Sequence, residues 1–223
     1  MLPPPRDPVF AGRCPGCRFP PSACFCADVR PISTRTRIVI VRHAAEVAKT
    51  SNTGRIAARA LTNCTLVDHG LPGQPLDLRG AVGSDAWVLY PGSARRPDHV
   101  PTLVVLDGSW GHVRGMRRRI PPLETLPSLS LPPPAVAPVR MRRGLAPDQL
   151  ATIEALAAAL TLLGEPDAGD ALRGVFEVMS TRMRDLRGFD VVPKVRPGAW
   201  PMERTADPIR SVEDTLAERE PPE

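Results

Sequence analysis

The tetrapeptide Asp107-Gly108-Ser109-Trp110 follows an unbroken apolar run, Leu103 to Leu106, and leads directly into an arginine-rich stretch. Turns of this kind, at the carboxyl edge of a parallel sheet, are where open α/β folds hold ligands, because side chains and backbone NH groups converge beside a rigid core. Asp107 there is a candidate acid or base. Gly108 permits close backbone approach, Ser109 can cap the next helix, and Trp110 offers a flat apolar wall with one NH donor. The same four residues also read as an ordinary capped turn.

A second chemical cluster lies near the start. Cys14-x2-Cys17-x6-Cys24-x-Cys26 brings four thiols into a stretch too short to build a core of its own, and the spacing fits tetrahedral zinc. Four sulfurs leave no open coordination position, so a structural ion is expected. Cys64, far away, reads as a small buried residue.

Three further polar groups fall at the ends of expected elements. His43 and Glu46 lack a third ligand at metal spacing, and His43 reads as a hydrogen-bonded structural residue. Asn52 and Thr53 can cap a helix, and Lys49 and Arg55 sit close enough to its positive end to hold a phosphate, although capping alone explains the Asn and Thr equally well. Tyr90-Pro91-Gly92 closes another apolar run after Leu89. Thr152 and Glu154 flank the apolar stripe of a helix opening at Leu150.

The elements that would position these groups alternate along the chain. Strands are expected at 38–42, 64–67, 86–90 and 103–106, each apolar throughout, as in a parallel sheet covered on both faces. A further short strand fits within 126–131. Helices are expected at 53–61, with Ala57, Ala58 and Leu61 inward, at 109–119, at 150–163 capped by Asp148 and ended by Gly164, and at 168–186. The organisation is therefore a disordered N-terminus (1–12), a zinc knuckle (13–30), an α/β domain (31–188) and a Pro-rich, charged, mobile tail (189–223).

The chain of 223 residues carries a net charge of +5, with only Lys49 and Lys194 as lysines among 29 basic residues. Distribution says more than the total. Between Gly111 and Leu150, Arg114, Arg117, Arg118, Arg119, Arg140, Arg142 and Arg143 face only Glu124 and Asp148, so positive charge follows the Asp107 turn. Such a rim suits the phosphates of a nucleic acid, and a solvated helix face explains it as well. No stretch reaches membrane-spanning length and no export signal is visible, so a cytoplasmic protein without membrane contact is expected.

Taken in order, the cysteine knuckle, His43-x-x-Glu46, Asn52-Thr53-Gly54-Arg55, Tyr90-Pro91, Asp107-Gly108-Ser109-Trp110 and Leu150-Ala151-Thr152-Ile153-Glu154-Ala155 resemble the DTW-domain family of tRNA-uridine aminocarboxypropyltransferases. The resemblance spans about residues 13–165. The family motif usually reads Asp-x-Thr-Trp, and Ser109 keeps its hydroxyl. The family's arginine before Thr-x-Glu-Ala corresponds to one of Arg140, Arg142 and Arg143.

The resemblance implies a SPOUT-like α/β fold with a C-terminal trefoil knot and S-adenosylmethionine as donor. Leu89, Tyr90, Pro91, Gly92, Asp107, Gly108, Ser109, Trp110, Leu150, Thr152 and Glu154 would bind it. Asp107 would take the proton from uridine N3, which attacks the methionine chain and releases methylthioadenosine. His43, Lys49, Asn52, Thr53, Arg55, Arg117, Arg118, Arg119 and the Arg140, Arg142 and Arg143 cluster would contact tRNA. A SPOUT-type RNA methyltransferase and a non-catalytic zinc-containing RNA-binding module are the alternatives, and monomer and homodimer both stay open.

Overall fold

The computed structural model describes residues 12–73, 76, 78, 80–92, 97, 99–133 and 149–188. Five strands, β1 (Arg37–His43), β2 (Cys64–His69), β3 (Trp87–Leu89), β4 (Thr102–Asp107) and β5 (Ser128–Leu129), form one sheet in the order β2-β1-β4-β3-β5. All the pairings are parallel. β1 and β4 occupy the middle, and their central residues are buried on both faces, which is why Ile-Val-Ile-Val and Leu-Val-Val-Leu show no polar alternation.

The helices divide between the two faces. Ile38, Ile40, Leu103 and Val105 point toward α2 (Thr53–Ala60), α4 (Thr152–Leu162) and α5 (Pro166–Arg187), where Ile56, Ile153, Leu156, Leu172 and Phe176 complete the larger core. Val39, Val41, Val104 and Leu106 point the other way, toward Val113 and Met116 of α3 (Trp110–Arg119). A short helix, α1 (Ala44–Val47), follows β1. It was not expected from sequence, because four residues are too few to show a helical period.

The strand expectations are met within one or two residues at most ends. α4 differs at its start. It opens at Thr152, with Ala151 in the capping position and the Glu154 carboxylate accepting the Ala151 NH at 2.8 Å. The expected cap, Asp148, lies outside the described residues, as do residues 1–11 and 189–223. Ala57 and Leu61 are buried as expected, whereas Ala58 is only partly so.

The cysteine-bearing segment is not a separate body. Phe19 and Phe25 meet edge to face with centroids 5.0 Å apart, and both are fully buried in the same core as Ile38, Ile56 and Leu103. Among the described residues, no helix is long and apolar enough to cross a membrane.

Candidate active site

Asp107 ends β4 with 4% of its surface exposed, and both carboxylate oxygens are engaged. Asn52 Nδ2 donates to Oδ2 at 2.5 Å, and Thr152 Oγ1 donates to Oδ1 at 2.6 Å. Asn52 is itself fixed, since its Oδ1 caps α2 by accepting the Arg55 NH at 2.8 Å. One carboxylate thus ties the start of α2 and the start of α4 to the end of β4. Gly54 makes this possible: a Cβ at that position would lie 2.5 Å from Asp107 Oδ2. Burial pushes the Asp107 carboxyl above its ordinary range, with the Thr152 and Asn52 hydrogen bonds opposing the rise.

The three segments expected to hold a donor molecule meet here. Thr152 joins the α4 segment to the Asp107 turn through its hydroxyl, and Tyr90 joins the β3 segment to it through an edge-on ring contact with Trp110, centroids 6.4 Å apart. Trp110 is 41% exposed, so one wall of the junction is open to a ligand. Gly92 packs tightly, because a Cβ there would stand 3.0 Å from Ser128 Cβ. Ser109 caps α3 by accepting the His112 NH at 3.3 Å, as its hydroxyl suggested. Leu89 is partly buried against the larger core, Leu150 is half-buried before α4, and Glu154 serves the helix start.

The residues expected to touch RNA divide into two groups. Asn52 and Thr53 are buried, and Asn52 spends its side chain inside the protein. Arg55 donates to the carbonyls of Lys49 at 3.1 Å and Thr50 at 3.2 Å, closing the α1–α2 loop, and burial first, then Arg42, brings it down to about 10. Arg117 donates to the Leu126 carbonyl at 2.7 Å and lies 5.9 Å over the Tyr90 ring. By contrast Arg118 and Arg119 are exposed, Lys49 pairs with Glu46 at 2.5 Å while staying partly open, and His43 is half-buried. Arg140, Arg142 and Arg143 lie outside the described residues.

Sequence reasoning missed the contacts that cross the fold. Arg42 and Asp68, neighbours in β1 and β2, form a two-pronged ion pair at 2.7 and 2.9 Å beside Asp107. Strand parity was the available signal: Arg42, Asp68 and Asp107 share one sheet face at the ends of three adjacent strands. His43 also stacks on His112, with ring centroids 3.7 Å apart.

The four cysteines of the N-terminal segment converge as their spacing suggested, with all sulfurs within 4.8 Å of one another. Cys14 and Cys26 sulfurs are 3.5 Å apart, and those of Cys17 and Cys24 3.8 Å. A tetrahedron of sulfurs at about 2.3 Å from a zinc ion has edges of roughly 3.8 Å, so the cluster has the size of a metal site. Burial raises the Cys14 thiol, but backbone hydrogen bonds at Cys17 and Gly16 and its thiol neighbours outweigh that and bring it down to about 6. Burial and the neighbouring thiols push Cys26 up to about 12. Cys64 is partly buried at the sheet edge, and burial pushes it up to about 12.

Among solved structures, the chain is similar to the SAM-dependent rRNA:acp-transferase Tsr3 from Vulcanisaeta distributa. Identity is 20%, over 69% of this chain and 84% of that one, with a TM-score of 0.45. The family model of the DTW domain matches residues 11–184, which takes in the cysteine cluster, the Asp107 junction and most of α5. The chain belongs to the DTW domain family.

Proposed function

We propose that this protein is an S-adenosylmethionine-dependent aminocarboxypropyltransferase that acts on RNA, with a tRNA uridine N3 as acceptor. The observation that carries this reading is the meeting of the Tyr90, Asp107 and Thr152 segments at one sheet edge, with a buried acid between them. The cationic sulfonium of the donor favours a nearby carboxylate. Uridine N3 attacks the methionine carbon bonded to sulfur, an N–C bond forms, and the C–S bond breaks with its electron pair staying on sulfur. Methylthioadenosine leaves as a neutral thioether. The N3 proton passes to Asp107, whose proton affinity is raised by burial and whose oxygens each keep a lone pair beyond the Asn52 and Thr152 bonds.

Arg118, Arg119 and the partly open Lys49 supply positive charge around the junction for RNA phosphates. The metal held by Cys14, Cys17, Cys24 and Cys26 is zinc in this reading, closing the segment without touching the reaction. Elemental analysis of reduced, folded protein should give one zinc per chain. The SPOUT-like reading also includes a C-terminal trefoil knot.

The reaction is tested with bulk tRNA and S-adenosylmethionine labelled separately in the methyl and carboxypropyl groups. Carboxypropyl label in RNA with methylthioadenosine as by-product is the expected result. Methyl label in RNA, with S-adenosylhomocysteine, overturns it.

A further inference from the structure

Three of the chain's four histidines, His43, His69 and His112, gather at the carboxyl edge of the sheet on the face opposite the Asp107 carboxylate. His43 and His69 are register partners at the ends of β1 and β2, with centroids 6.2 Å apart. His112 comes from the first turn of α3. It stacks flat on His43, the ring planes only 5° apart. Both flank the turn after Asp107, since a Cβ at Gly108 would lie 3.0 Å from His112 Cβ and 3.5 Å from His43 Cβ.

The hydrogen bonding of His43 decides which of its nitrogens carries the proton. Its Nδ1 accepts the Ala45 backbone NH at 3.1 Å, which caps α1. A backbone NH only donates, so Nδ1 must hold a lone pair, and the proton of the neutral ring is on Nε2. Protonating Nδ1 would oppose two NH groups and uncap the helix. His112 contributes its face to this arrangement: its Nδ1 is buried with no hydrogen-bond partner among the described residues. Stacking then hinders the ring flip that would release the cap.

We infer that His43 is a fixed Nε2–H donor for a carbonyl oxygen of the target uracil, held in that state by the Ala45 cap and the His112 stack. The inference rests on the reaction proposed above. When N3 gives up its proton, the negative charge spreads onto the neighbouring carbonyl oxygens, and a donor already aimed at one of them stabilises the anion and eases deprotonation. Burial, then His112 and His69, lower the proton affinity of His43, with Lys49 acting in the same sense and Glu46 against it, which favours the neutral ring that the Ala45 cap requires. His43 ends β1 one residue beyond Arg42, the register partner of Asp107 in β4, so donor and base stand at the carboxyl ends of two adjacent strands, where the base would take the N3 proton while the donor holds an oxygen beside it.

Two measurements test this. Nitrogen-15 NMR of the histidine side chains at neutral pH should show His43 protonated on Nε2 and bare on Nδ1; a proton on Nδ1 overturns the inference whether or not the protein transfers anything. In the transferase assay, His43→Ala should lower kcat by on the order of 10²-fold and move the rise of rate with pH to more alkaline values, with donor binding unchanged. His112→Ala should lower kcat by about tenfold and His112→Phe, which keeps a flat partner, should restore it. Wild-type kcat and pH profile in His43→Ala refute the donor while leaving the transferase reading intact, whereas absence of carboxypropyl transfer by the wild-type protein refutes that reading.

Discussion

Asp107 combines burial with full engagement, and its proton affinity follows from the balance. Because the folded protein holds this proton more tightly than the unfolded chain, its contribution to stability declines as pH rises from the ordinary carboxyl value through the raised one. Asp107→Asn removes that dependence. The difference in unfolding free energy between variant and wild type should therefore move in the variant's favour as pH rises across this window, measured by urea titration. Turnover of the same variant should fall by at least about 10²-fold, and near wild-type turnover with donor bound would reject Asp107 as the base. Gly54 is the silent member of the group. Gly54→Ala drives a methyl into the Asp107 carboxylate and should cost about 1–3 kcal/mol, read as a lower urea midpoint, along with a loss of activity.

At the scale of elements, the site is a meeting of helix starts. Asn52 and Thr152, at the starts of α2 and α4, both donate their side chains to Asp107, and these bonds favour its negative form against the effect of burial. Thr152→Val keeps the shape of the side chain and removes one donor. The carboxyl should rise further, so the acid limb of the pH–rate profile should shift upward, and stability should fall by about 1 kcal/mol. An unchanged acid limb would show that Thr152 does not set the proton affinity of Asp107. Much at this scale could be read beforehand. The strands at 38–42 and 103–106 were legible because burial on both faces leaves an unmistakable apolar run, and Ser109 was legible as a cap because capping is local. What joins Asn52 to Asp107 and Asp107 to Thr152 was not, since separations of 55 and 45 residues leave no periodic trace. Asn52 and Arg55 have residue types that suit phosphates as well as caps, and only the fold shows the internal partners they hold.

For the molecule as a whole, the cysteine segment matters more than its length suggests. Phe19, between the two pairs of cysteines, and Phe25, between Cys24 and Cys26, fill part of the core under β1 and β4. Removing the zinc proposed for this segment with a chelator under reducing conditions should therefore lower Tm for the whole domain in a single transition, followed by calorimetry. A separate early transition, with the rest of the domain melting as before, would show that the segment is energetically independent.

The bond between Asp107 and Thr152 also bears on how the chain matures. On the ribosome, Asn52 already lies behind β4 when Asp107 emerges, but Thr152 follows 45 residues later. Through that interval one carboxylate oxygen faces solvent and the junction lacks its third side. Synthesis thus delivers the acid first and its enclosure last, so a polypeptide released early would carry the signature tetrapeptide without a working centre.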